Sequence, residues 1–222
     1  MNNKFLNQSK INEITEKNYE GIYGAYKISK SDISEVYLYR FGLLLCALSL
    51  NFGLIQWIFI GPDWSALWFA PIGIFLGIAI RWIHIYLRPL HNFLYILWAI
   101  GCFGIIFLFI NHGAKELLSI FSANPINIFA VGPFFAAITG IGFKEFFCFR
   151  RIEAIGLTLF IPASLVLYML RIISSNFAMA LLLLSSIFML ILSIRKLTVN
   201  PVDDIGDKSV FNFLNEQKAQ SA

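Results

Sequence analysis

Charge is scarce in this chain and is missing where membrane chemistry would most need it. Charged residues are 14% of the 222, and no Asp, Glu, Lys, Arg or His lies in the middle of a long apolar run. Coupled transporters and pumps place such groups inside their spans, facing a polar pathway, so this pattern argues against one. Cysteine is also sparse. Cys46, Cys102 and Cys148 are far apart, with no CxxC pair and no histidine at metal-ligand spacing, so neither a disulfide framework nor a zinc cluster is expected. Three free thiols packed as small hydrophobes fit better. The first 40 residues are too polar and too mixed in charge for a signal peptide, and nothing points to nucleic acid.

Apolar surface is what the chain has in excess: 58% hydrophobic residues and a mean hydropathy of +0.73, outside the range of soluble domains. A helix needs about 20 apolar residues to cross a hydrocarbon core of about 30 Å. Six runs meet that length, at 41–60, 64–80, 93–110, 126–143, 154–170 and 177–194. The expected fold class is therefore all-α: a polytopic membrane protein with six transmembrane helices arranged as three antiparallel hairpins. A polar segment over 1–32 precedes the helical domain over 33–196, and a tail over 197–222 follows.

Basic residues fix the expected orientation, because positive loops stay on the cytoplasmic side. Lys4, Lys10, Lys17, Lys27, Lys30, Arg40, Arg81, Arg88, Lys144, Arg150, Arg151, Arg195, Lys196, Lys208 and Lys218 fall on one side, and only Lys115 and Arg171 on the other. Both termini are then cytoplasmic. Asp63, in the Gly61-Pro62-Asp63 turn, is expected to cap the second span. Asp32 and Glu35 have capping-box spacing at the start of the helix leading into the first.

Small residues let membrane helices approach closely. Gly73 and Gly77 form GxxxG in the second span, while Gly132, Ala136 and Gly140 share a face of the fourth. These two helices are expected to be central and packed together, with a homodimer seam as the alternative. Pro71, Pro133 and Pro162 remove backbone donors inside spans and predict kinks. Asn51, Gln56, Thr139 and Thr158 are expected to hydrogen-bond between helices.

Candidate site residues lie at the cytoplasmic ends. The segment from Arg81 to His91 reads as the second helix continuing two turns beyond the membrane until Pro89 ends it. Arg81, His84 and Arg88 would then form a cationic stripe for lipid phosphate, an anionic ligand or an acidic partner loop. Lys144 and Glu145, in the fourth loop, would face it, with Glu145 pairing to Arg81 or Arg88. His84 and His91 are too far apart to share a metal. A pigment or haem on His84 is conceivable but less favoured than an interfacial hydrogen bond, so no cofactor is expected.

Asp203, Asp204 and Asp207 match the DDxxD pattern of magnesium-diphosphate enzymes but lack a second acidic motif, which favours an exposed turn. A short helix over 209–218 would dock through Val210, Phe211 and Leu214. Gly21 to Tyr26 reads as a turn at the membrane or a partner contact, and residues 1–18 as mobile.

Four strings, GIYGAYKI near residue 21, WIHIYLRPLH near 82, GIGFKEFFCF near 140 and DIGDKSVF near 204, together resemble a family of integral membrane proteins of unknown function found in cyanobacteria and plants. The resemblance runs from about Gly21 to Leu214 and brings no catalytic residues. It implies a photosynthetic organism and a plasma or thylakoid membrane. The expected role is a non-enzymatic accessory, scaffold or assembly protein whose partners are membrane lipids and another membrane-protein complex. The alternatives are an uncoupled small-solute carrier or channel, or a lipid- or quinone-dependent enzyme using His84 and Glu145.

Overall fold

The computed structural model describes residues 8–211 and 213–214, with side chains from residue 11 onward. Ser29 opens the first long helix: its hydroxyl accepts from the Asp32 N–H at 3.3 Å while Asp32 Oδ2 accepts from the Ser29 N–H at 2.7 Å. This reciprocal capping box satisfies two otherwise unpaired donors. It also moves the helix start ahead of the expected Asp32–Glu35 pair, since Asp32 closes the box instead of opening it.

After α1 (Gln8–Glu16), β1 (Asn18–Gly21) and β2 (Gly24–Lys27) come α2 (Lys30–Phe59), α3 (Phe69–Trp82), α4 (Arg88–Ala123), α5 (Ile128–Phe149), α6 (Ile152–Met169), α7 (Ser175–Lys196) and the short α8 (Pro201–Ile205). Six of these helices, α3 being extended by a 3₁₀ turn at Ser65–Trp68, are long and apolar enough to cross a membrane. All six expected runs are thus helical.

Glycines decide which helices touch. A Cβ on Gly42 of α2 would lie 2.9 Å from the Ala79 nitrogen of α3, and one on Gly104 of α4 would collide with the Ala130 backbone of α5. Gly101 meets the Phe134 backbone in the same way. Neighbours in sequence pack side by side, and α7 returns against α2. The expected close pairing of α3 with α5 is not what forms. Gly77 packs on the Trp98 ring of α4, Gly73 faces both Cys102 and Phe134, and Gly132 has no atom within 4 Å of its would-be Cβ. The α4 glycines, not the longer small-residue series of α5, mediate the close approach.

Gly113 interrupts α4 with φ 73° and ψ 171°, conformations that only glycine adopts cheaply. Residues 88–112 suffice for a span, and 114–123 form a separate amphipathic helix burying Leu117, Leu118 and Phe121. Asp63 does not cap the second span: Trp64 precedes the 3₁₀ turn with a left-handed φ of 62° and no side-chain cap. Asn51 does bond between helices, donating to the Ser186 carbonyl of α7 at 2.9 Å and accepting from the Ser186 hydroxyl at 3.1 Å. Thr139 and Thr158 instead donate to carbonyls of their own helices, at 3.0 and 2.7 Å.

Over the residues described, the N-terminal segment packs on the bundle. Ile11 and Ile14 of α1 pack against a small second core of Ile28, Ile33, Val36 and Ile205. In the hairpin, Gly21 pairs with Gly24 across a two-residue turn. The turn N–H groups of Ile22 and Tyr23 donate to Asp207 Oδ2 at 2.8 Å and to the Ser209 hydroxyl at 3.1 Å. Residues 209–211, 213 and 214 of the expected tail helix are helical; the rest of it, like residues 1–7, lies outside the described residues.

Candidate functional site: a buried clasp of charges

One end of the bundle gathers Tyr39 and Arg40 from α2, Lys144 and Glu145 from α5, Lys196 from α7 and Asp204 from α8, all buried. Leaving any of these charges unpaired out of water would cost several kcal/mol, so the geometry of their pairing is decisive. Glu145 Oε1 accepts from the Tyr39 hydroxyl at 2.6 Å and from Lys144 Nζ at 3.0 Å. Its Oε2 lies 2.7 Å from Lys196 Nζ, a charge contact off the hydrogen-bonding direction.

Lys196 also bonds Asp204 Oδ1. Asp204 Oδ2 in turn takes Arg40 Nε at 2.7 Å and Nη2 at 2.5 Å. The remaining guanidinium donors reach the Val199 carbonyl at 2.8 Å and the Asn200 carbonyl at 3.2 Å. Phe149 closes the assembly, its ring centroid 3.7 Å from Lys196 Nζ, which adds a cation–π attraction.

Local sequence explains how Asp204 arrives there. Asn200 caps α8 by accepting from the Val202 N–H at 3.2 Å, Pro201 sets the first helical residue, and Gly206 stops the helix with φ 69°. The result turns the chain straight back from α7 onto Arg40. The three aspartates of the DDxxD match therefore go separate ways. Asp204 is buried in the clasp, Asp203 is exposed, and Asp207 receives the hairpin turn and the Ser209 N–H and hydroxyl. Those hydrogen bonds overcome the upward effect of burial and hold the Asp207 carboxyl below its ordinary pKa. The expectation of one exposed turn is corrected.

The expected cationic stripe does not form. α3 ends at Trp82, the next five residues are not helical, and Pro89 lies in the first turn of α4 instead of ending α3. Proline suits that position because its missing donor would be unpaired there anyway. Arg81 and Arg88 are exposed, and His84 turns to Glu35, Nε2 to Oε2 being 3.5 Å. Burial pushes the His84 pKa below its ordinary value, against the opposing pull of Glu35. His91 instead bonds the Ile80 carbonyl at 2.7 Å, fastening α4 to the end of α3.

Glu145, expected to pair with Arg81 or Arg88, is held by Lys144 and Lys196. Atoms of Asp32, Glu35 and His84 that could ligate a metal lie within 4.8 Å of one another. Lys208 Nζ already sits 2.7 Å from Asp32 Oδ2, however, and occupies that carboxylate with a positive charge.

Spaces in the structure lie both beside this cluster and away from it. A surface hollow of about 610 Å³ beside the clasp is walled by residues including Lys17, Tyr19, Tyr37, Asn200 and Asp203; neither His84 nor Glu145 lines it. A cavity of about 100 Å³ at the far end is lined mainly by carbon from residues such as Phe121, Phe135 and Met179. A groove of about 590 Å³ runs along α5 between α4 and α6, with Gly132, Pro133, Ala136 and Pro162 in its walls.

Tyr39, Arg40 and Lys196 had no signal as site residues, and the one signal on Asp204, the DDxxD match, pointed to a different chemistry. Arg40 and Lys196 each border an apolar run, where a basic residue reads as a topology marker.

A family model described as an uncharacterized integral membrane protein matches residues 78–213, more than half of the chain. The match takes in Lys144, Glu145, Lys196 and Asp204 and begins after Tyr39 and Arg40. No curated protein and no solved structure matches.

Proposed function

Because the chain belongs to this family of uncharacterized integral membrane proteins (DUF2301), we propose that it is a non-enzymatic accessory or scaffold protein. In this reading it resides in the plasma or thylakoid membrane of a photosynthetic organism, with both termini cytoplasmic. One observation carries the proposal: among the described residues, every buried Asp, Glu, Lys or Arg side chain is consumed in an ion pair. All but Lys144–Glu145, which are neighbours on α5, run between structural elements, so their work is to hold α2, α5, α6, α7 and α8 in one arrangement.

Acid–base catalysis needs a proton-transferring group within reach of a substrate. Glu145 is fully enclosed, and His84 pairs with Glu35 outside the hollow, which counts against the enzyme reading. A small-solute pathway needs polar lining, whereas the far-end cavity and the α5 groove are walled mainly by carbon. The orientation is supported by the grouping of basic residues at the clasp end.

The clasp also stabilises a surface for a partner. Ile22 is 83% and Leu87 61% exposed, beside the half-exposed Tyr23 and Tyr86. Tyr86 accepts from the Asp207 N–H and packs 5.1 Å from Phe211, so the hairpin tip, the α3–α4 connection and the tail form one apolar and aromatic ridge. Exposed patches of this kind mark interaction sites.

Purification from native membranes in mild detergent, with mass spectrometry and an absorption spectrum, tests the reading. A photosynthetic complex subunit or assembly factor that co-purifies, and is lost from an Ile22→Glu, Leu87→Glu variant, supports it. Recovery of the chain alone overturns it.

A further inference from the structure

The groove along α5 has no part in the scaffold reading. Its lining runs from Phe129 to Phe143, a rise of about 21 Å at 1.5 Å per residue, which exceeds the depth of one leaflet's hydrocarbon, about 15 Å. Gly132 leaves its floor open, with nothing within 4 Å of a would-be Cβ. A space lined this way and facing lipid is filled by hydrocarbon, but hydrocarbon alone selects nothing, because lipid tails are as apolar as the walls. Any selectivity must come from charge at the groove's ends.

That charge is present at the clasp end. Arg150 follows Phe143 by seven residues, with Phe147 between them stacked on Phe143 at 6.2 Å. Arg151 lies immediately before α6, seven residues ahead of Thr158, a wall residue of that helix. Arg150 is exposed and Arg151 half-buried, and neither makes an ion pair among the described residues. Arg151 is also the N-terminal cap of α6, where the helix dipole favours an anion.

We propose that this groove holds one anionic glycerophospholipid, an acyl chain lying along α5 between α4 and α6 and the phosphate at Arg150 and Arg151. A second copy of the chain is a poorer occupant. A two-fold interface through this groove would bring the Arg150 and Arg151 pairs of both copies to the same end of one seam, where like charges repel. The inference depends on the chain spanning a bilayer and not on the scaffold role, so either can fail alone.

The test uses the full chain, stripped of lipid in mild detergent and titrated with dioleoylphosphatidylglycerol or dioleoylphosphatidylcholine, with bound lipid counted by native mass spectrometry. Two arginines at the interface predict about a thirtyfold preference for the anionic lipid at a stoichiometry of one. Gly132→Leu, which has room for its side chain, should cut retention of both lipids about tenfold, as should Ala136→Trp one turn on. Arg150→Gln with Arg151→Gln should remove the preference and leave phosphatidylcholine binding unchanged.

Circular dichroism of each variant establishes that it folds. Equal retention of the two lipids by the unaltered chain overturns the proposal, as does undiminished phosphatidylglycerol on Gly132→Leu. A dimer that Gly132→Leu splits would assign the groove to a second copy and overturn it equally.

Discussion

The two ends of the bundle are held together by different physics. At the clasp end Arg40, Lys144, Lys196, Glu145 and Asp204 lie out of water and are joined by direct ion pairs. At the other end the fastenings are single and mostly aromatic. Trp68 donates to Gln56 Oε1 at 2.7 Å, Tyr168 to the Phe121 carbonyl at 3.3 Å, and Lys115 lies 5.4 Å from the Trp64 ring centroid. Each contact at that end can be lost without stranding a buried charge. A clasp residue cannot, because desolvation of the partner left behind is not recovered.

Removing Glu145 should therefore have the largest effect. Glu145→Gln strips the carboxylate from Lys144 and Lys196, and about 3–5 kcal/mol of stability should be lost, read as a shift in denaturant-induced unfolding in detergent. A loss below about 1 kcal/mol would mean that water reaches the clasp and would erase the contrast between the ends. The contrast sharpens if Glu145→Leu is combined with Lys144→Leu and Lys196→Met. Replacing these three charges together should recover most of the loss, since the Arg40 and Asp204 that remain buried still pair with each other.

Gly104→Ala probes pure packing on the other half, where the added methyl collides with the Ala130 backbone. The expected cost is about 1–3 kcal/mol, with no dependence on salt or pH; a neutral outcome would mean that α4 and α5 separate freely.

His84 gives the clasp end a pH dependence. Its folded pKa lies below the unfolded value because burial disfavours the cation. The resulting stability is complete above about pH 6.5 and is lost as the pH falls through the unfolded value towards the folded one. Unfolding curves from pH 8 to 5 should show this loss, and His84→Asn should flatten it.

The smallest effect should come from Lys115→Ala, whose exposed cation–π contact contributes about 0.5–1 kcal/mol. A greater loss would show that the far end also depends on charge.

Much of the fold was legible because membrane insertion is governed by runs of apolar residues, and all six runs are helices. Packing was less legible. The small-residue series from Gly132 to Gly140 invited a close helix partner, yet Gly132 faces open space while Gly101 and Gly104 meet the α5 backbone. Spacing along one helix cannot say which neighbour approaches it. Of the expected site residues, Lys144 and Glu145 belong to the buried cluster, whereas Arg81, His84 and Arg88 were grouped on a helix that ends at Trp82. Pro89 was read as a stop when it is part of the next start, two roles that proline's missing donor allows equally.

The sequence by itself determined the solvent of this protein and the number of helices able to span it, because these depend on composition summed along short stretches of chain. Only the tertiary structure decided that Arg40 meets Asp204 across 164 positions and that Tyr39 meets Glu145 across 106. A buried ion is tolerated only where its partner arrives in three dimensions, and the identity of that partner is set by how the helices pack rather than by distance along the chain.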